Sequence, residues 1–164
     1  NLQEKELNLD IAKRLNALLK EKGINTYMLR EDDSSIGNYE RAYIANNLNA
    51  RLYISIHNNA IDSINFGGTM TLYYPTAGYN SFTGRNFAQI VQKNLLSSLG
   101  TVDRKIKSRT DLVVLKATKM PARIAEGAYM TNSSDRSSLQ KEAFRQKAAQ
   151  ALCRSVIEVL GKIK

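Results

Sequence analysis

The sequence predicts an α/β fold, with a mainly parallel central sheet flanked by helices on both faces. Three observations predict it. Apolar residues recur at helical spacing in four stretches, short β-branched or aromatic runs lie between them, and the two kinds of segment alternate along the chain. Such alternation is the mark of strand–helix–strand units, whose crossovers cover both faces of a sheet.

In order, Leu7, Ile11, Leu15, Leu18 and Leu19 place a helix over residues 4 to 22, which Gly23 stops. INTYML, residues 24 to 29, reads as a strand. A second helical pattern runs from Tyr39 to Asn49, followed by the strands RLYISIH (51–57) and GGTMTLYYP (67–75). Phe87, Ile90, Val91, Leu95 and Leu99 mark a long helix ending at Gly100. LVVL (112–115) and ARIAE (122–126) read as short buried strands, and Phe144 to Leu160 as a closing amphipathic helix. The two prolines, Pro75 and Pro121, border strand-like runs, and there is no repeat or linker composition.

With 164 residues and 43% apolar content, one core and one domain over 1–164 are expected, since a domain of roughly 150 residues buries about 70% of its extended surface. No apolar run approaches the roughly 20 residues that cross a bilayer. The N-terminus, NLQEKELNLD, has neither the basic start nor the apolar centre of a signal peptide, and the absence of an initial methionine reads as a mature or excised piece. The formal charge of +9 attracts polyanions of any kind. Aromatic–basic interleaving and helix-turn-helix signals are absent, so no nucleic-acid partner is expected. The single cysteine, Cys153, excludes a disulfide frame and reads as a packing residue.

The chemistry lies at strand ends. His57, the only histidine, stands where the run YISIH turns polar, a position that suits a metal ligand as well as a hydrogen-bonded core residue. Glu126 closes ARIAE and is followed by Gly127 and Ala128, too small to shield it. In open α/β sheets ligands bind beyond the carboxyl ends of strands. Glu4 joins them by a helical-wheel argument: with Leu7 at 0°, the apolar stripe covers roughly 0 to 120°, Glu4 falls near about 60° and Glu6 near about 260°. An acid at the head of a buried stripe needs a cation or hydrogen-bond partner. One histidine and two inward carboxylates suggest a catalytic zinc site, with Glu4 and His57 as ligands and Glu126 as the base. The count is one ligand short, so the site is either incomplete or completed by an Asp or Asn.

These residues sit in three motifs: Glu4-Lys5-Glu6-Leu7-Asn8-Leu9, Ser55-Ile56-His57-Asn58-Asn59-Ala60, and the run from Pro121-Ala122 through Glu126-Gly127-Ala128-Tyr129 to Asn132. In order and spacing the chain resembles the zinc-dependent N-acetylmuramoyl-L-alanine amidases of bacterial cell-wall hydrolysis. Their motifs read Glu-Lys-Asp-Leu-Asn-Leu, Ser-Ile-His-x-Asn-Ala and Pro-Ala-x-x-x-Glu-x-Gly-Phe-x-Ser-Asn. The resemblance implies that Glu4 and His57 bind Zn2+ and that Glu126 is the catalytic acid/base. It also implies a peptidoglycan hydrolase, in which a zinc-activated water cleaves the amide between N-acetylmuramic acid and the L-alanine of the stem peptide. Arg104, in Asp103-Arg104-Lys105, lies where the family has Asp-Arg-Gly, which implies a substrate-binding role.

The resemblance further implies an extracellular site of action in the bacterial cell wall, where the basic charge suits anionic wall polymers. Two departures stand out. The family's N-terminal strand, ending in Asp-x-Gly-His-Gly-Gly with the first zinc histidine, has no counterpart in this sequence, and Gly127-Ala128 replaces Val-Gly. The alternative reading is therefore a metal-free, non-catalytic wall-binding or regulatory module with the same fold.

Overall fold

The computed structural model describes residues 2–75, 78–79 and 82–163. Along the chain run α1 (Glu4–Glu21), α2 (Asn38–Asn47), β1 (Tyr53–Asn59), β2 (Thr69–Tyr73), β3 (Gly78–Tyr79), β4 (Phe82–Thr83), α3 (Gly84–Leu99), β5 (Asp103–Ser108), α4 (Val113–Lys116), β6 (Ala122–Tyr129), α5 (Ser133–Gln140) and α6 (Glu142–Lys162). The main sheet has the order β1-β6-β2-β5. β1 and β6 pair in parallel, as do β2 and β5, while β2 and β6 are antiparallel. The sheet is mostly parallel, as the sequence predicts.

Apolar stripes decide the layers. Ile11, Leu15 and Leu19 of α1, Phe87, Val91 and Leu95 of α3, and Leu152, Val156 and Val159 of α6 pack together over Ala125, with Cys153 buried among them. On the other face Ala45 of α2 and Val114 and Leu115 of α4 cover Tyr53, Leu72 and Ile124. β6 is thus covered on both sides, as expected of a central strand under helices on each face. Thr83 begins α3 with a reciprocal capping box to Asn86, and Gly100 ends it at φ 64°, a left-handed turn that glycine takes without strain.

Two predicted strands are corrected. INTYML forms no ladder, although it follows α1 as expected. A strand needs a neighbour, and here a cleft of about 1370 Å³ lies where one would be, lined by Ile24–Arg30 on one side and Ala50–His57 of the β1 segment on the other. LVVL contributes the short helix α4, whose Val114 and Leu115 are buried. A four-residue apolar run carries no periodicity that separates a buried strand from one helical turn. Conversely β5 has no counterpart among the predicted strands, because the charged run DRKIKS carries no apolar alternation. It is an edge strand, where such charge protects an exposed ladder.

The cleft leaves one side of β1 unpaired among the described residues. Tyr53 N–H donates to the carbonyl of Pro121, the residue before β6, and in a parallel ladder the next residue points the other way. Ile54 and Ile56 therefore present their backbone groups to the cleft, and Asn58 N–H, next in that series, meets the Glu4 carboxylate.

Arg123 of β6 is the oddity of the core. Its side chain is fully buried against the Phe87 ring, and none of its three guanidinium nitrogens has a partner among the described residues. Burial alone pulls its pKa well below the usual arginine range. Replacing an uncompensated buried charge by an apolar side chain of similar length removes a desolvation cost, so Arg123→Met is predicted to stabilise the fold by about 1–4 kcal/mol. Urea unfolding checks this, and a lower midpoint for the variant would mean that the guanidinium has an anionic partner.

Candidate active site

The parallel β1–β6 register puts His57 directly beside Glu126. Both stand near the carboxyl ends of their strands, and α1 starts over the same edge, bringing Glu4 to them. Glu4 Oε1 lies 3.0 Å from His57 Nδ1 and also accepts from Asn8 Nδ2 at 3.0 Å and from Asn58 N–H at 3.2 Å. The other imidazole nitrogen, Nε2, is 3.0 Å from Ser55 Oγ, two residues back on the same face of β1. The ring is held from both ends.

The three groups differ electrostatically. Burial works against the Glu4 carboxylate, but the hydrogen bonds from His57, Asn8 and the Asn58 backbone outweigh it and lower its pKa. Burial likewise opposes a charged His57, yet the Glu4 hydrogen bond and the negative charges of Glu126 and Glu4 raise its pKa. For Glu126 the balance runs the other way: it is 7% exposed, its Oε2 has no partner among the described residues, and burial, reinforced by the Glu4 charge, outweighs the pull of His57 and Arg109 and pushes its pKa up to about 7. A carboxyl poised there exchanges protons readily at neutral pH.

The donor set suits zinc in kind, since an imidazole nitrogen and a carboxylate oxygen that converge to 3.0 Å are both ligands zinc accepts. Among the described residues no three His, Cys, Asp or Glu side chains cluster as a complete metal site. The large cleft reaches Glu4, Ser55 and His57 at one end.

Arg104 is not gathered with these groups. It lies on β5, separated from β6 by β2, where its Nε donates to the Gly67 carbonyl at 2.5 Å and its guanidinium covers the Phe66 ring at 3.9 Å. Phe66 in turn meets Tyr129 edge to face at 5.0 Å. Sequence reasoning missed the residue that organises this neighbourhood, Asp135. Its Oδ2 accepts from Gly68 N–H at 2.7 Å and Tyr129 N–H at 2.9 Å, clamping the loop after β1 to the end of β6. The readable signal was Asn132, which caps α5 through Ser134 and Asp135 N–H. At Gly68, φ is 122° and a Cβ would lie 2.2 Å from the Val102 carbonyl, so the clamped turn admits only glycine.

The fold and site together define an α/β domain that gathers a histidine and two carboxylates at the carboxyl edge of a parallel strand pair. The chain belongs to the N-acetylmuramoyl-L-alanine amidase family, Amidase_3, whose model matches residues 1–158. The N-acetylmuramoyl-L-alanine amidase LytC of Bacillus subtilis is 40% identical over 92% of this chain, which spans 30% of that protein's length. Among solved structures, an N-acetylmuramoyl-L-alanine amidase of Clostridium difficile matches with TM-score 0.90 and 33% identity, covering 98% of this chain and 86% of that one. The catalytic domain of CwlV from Bacillus (Paenibacillus) polymyxa var. colistinus matches with TM-score 0.89 and 30% identity, over the same 98% and 86%.

The raised Glu126 pKa makes a prediction independent of activity. From the ordinary 4.5 to about 7, the folded state holds a proton that the unfolded chain has released, so stability falls as pH rises through that window. Glu126→Gln is never ionised; in chelator-treated protein it is predicted to match the parent at pH 4 and exceed it by about 2–4 kcal/mol at pH 8. Equal stability differences at the two pH values, measured by denaturant unfolding, would contradict the assignment.

Proposed function

We propose that this chain is the catalytic domain of a peptidoglycan hydrolase that cleaves the amide between the lactyl group of N-acetylmuramic acid and the L-alanine of the stem peptide. The observation that carries the reading is the meeting of Glu4 Oε1 and His57 Nδ1 at 3.0 Å, on the strand end paired with a buried carboxyl whose pKa is pushed up to about 7. Family membership over residues 1–158 supports the same chemistry.

Glu4 and His57 would hold Zn2+, which when bound supplies a Lewis acid for the scissile carbonyl and for water. Ser55 keeps the His57 ring turned so that Nδ1 faces Glu4. Glu126 takes the proton from the attacking water and passes it to the departing alanine nitrogen, a task for a group near neutral pKa. Although Gly127 and Ala128 are small, the folded chain leaves Glu126 only 7% exposed, so little bulk water competes for that proton. The missing donor, a histidine by resemblance, would enter on a strand seated in the cleft beside β1, where Ile54 and Ile56 present unpaired backbone groups. The formal charge of +9 favours residence in an anionic wall and contact with anionic wall polymers, outside the cell. Arg104 serves substrate binding indirectly, by fixing the Phe66–Gly67 wall.

A second reading starts from the same pair: Glu4 and His57 meet at 3.0 Å as partners of each other, an arrangement that a metal-free wall-binding or regulatory module with the same fold would keep. Turnover decides between them. Glu126→Gln is predicted to retain wall binding and lose at least about 100-fold in release of stem peptide from purified peptidoglycan, the scale of losing a general acid/base. Undiminished release by Glu126→Gln would remove Glu126 from the reaction, and binding without release by the unsubstituted protein would favour the module.

A further inference from the structure

Glu4 is held by more than its histidine neighbour. Asn8 Nδ2 donates to Glu4 Oε1 at 3.0 Å, and Asn8 Oδ1 accepts from Asn58 Nδ2 at 2.9 Å. Asn58 closes the loop by donating its own backbone N–H to the same Glu4 oxygen at 3.2 Å. A glutamate carboxylate at neutral pH can only accept, and this one takes the Asn58 backbone N–H, so Asn8 must offer its NH2 to Glu4 and its oxygen to Asn58. Asn58 must then offer NH2 to Asn8. One ionised group orders both amides.

The Asn58 side chain is fully buried, and its Oδ1 has no partner among the described residues. That oxygen points at β6 immediately after the buried Glu126: a Cβ on Gly127 would touch it at 3.4 Å. A methyl fits there at ordinary contact distance. The extra methyls of a valine, the residue the resemblance leads one to expect at 127, would have to push the amide aside. The departure at Gly127 thus has a physical reason in Asn58.

We infer that Asn8 and Asn58 are positioning residues that fix the Glu4 carboxylate against His57, and that Gly127 is the space this relay needs. The inference deepens the zinc reading, but its core, the grip on Glu4, exists without metal. Small-to-large change at 127 releases Glu4 through Asn58, although residue 127 does not touch Glu4 in the hydrogen-bond network. The relay also ties α1, β1 and β6 together at the one edge where all three carry site residues.

The test uses Asn8→Ala, Asn58→Ala, Gly127→Val and the Asn58→Ala/Gly127→Val double variant. In chelator-treated protein, the backbone amide at 58 is predicted to exchange with solvent at least about tenfold faster in Asn8→Ala and in Gly127→Val, while Ala125 in the β6 ladder is unchanged. Zinc affinity, read by competition with a chromophoric chelator, is predicted to fall about 10–100-fold in each single variant. In the Asn58→Ala background the added valine should cost nothing further, because the side chain it displaces is gone. Unchanged exchange at 58 in Asn8→Ala, or additive losses in the double variant, would overturn the relay. Faster exchange with no zinc bound by the unsubstituted protein would uphold the relay and sink the zinc reading. Unchanged exchange with zinc bound through His57 would do the reverse.

Discussion

The parallel pairing of β1 with β6 is the constraint on which the site rests. It matches Tyr53 with Ala122, Ser55 with Ile124 and His57 with Glu126. A slip of one residue would turn Glu126 to the opposite face, into the layer of α1, α3 and α6. The register is defended by burial on both sides: Ile124 must meet Tyr53 and Leu72, and Ala125 must leave room for three helices. Packing that has nothing to do with chemistry therefore decides which carboxyl stands beside the histidine.

Around that pairing the molecule concentrates its electrostatic tension. Glu126 is buried with one oxygen unpartnered, a cost the fold carries at the site and offsets in the apolar layers. Glu4 and His57, with side chains 40% and 44% exposed, stabilise each other's charge instead. The wall beyond is made rigid by means that avoid the three groups altogether. Asp135 fastens two backbone amides, and Arg104 fastens a carbonyl and an aromatic face. Such separation leaves Glu4, His57 and Glu126 outside the contacts that hold the wall together.

Much of this was legible from residues alone. The stripe of α1 announced its buried face and with it the inward turn of Glu4, and Gly23 and Gly100 marked the helix stops that the structure has. His57 and Glu126 were visible as strand-end polar groups, although their adjacency is a tertiary fact. INTYML failed because strand propensity is not a strand until something pairs with it, and LVVL failed because four residues show no period. β5 hid behind its charges, and Lys105 within it takes φ 66°, a left-handed turn at the position where the resembling family has glycine. Arg123 could not have been placed in the core from composition, since a guanidinium there breaks the rule that buried charges are paired. Asn58 and Gly127 were each in view, but only three-dimensional contact makes them a pair.

The most direct test of the account is zinc stoichiometry, by elemental analysis, on the protein as the cell makes it and on its Glu4→Ala, His57→Ala and Glu126→Gln variants. The account predicts about one zinc per chain in the parent and in Glu126→Gln, and loss of that zinc in both Glu4→Ala and His57→Ala. Zinc retained in the His57→Ala variant, or absent from the parent, would contradict it.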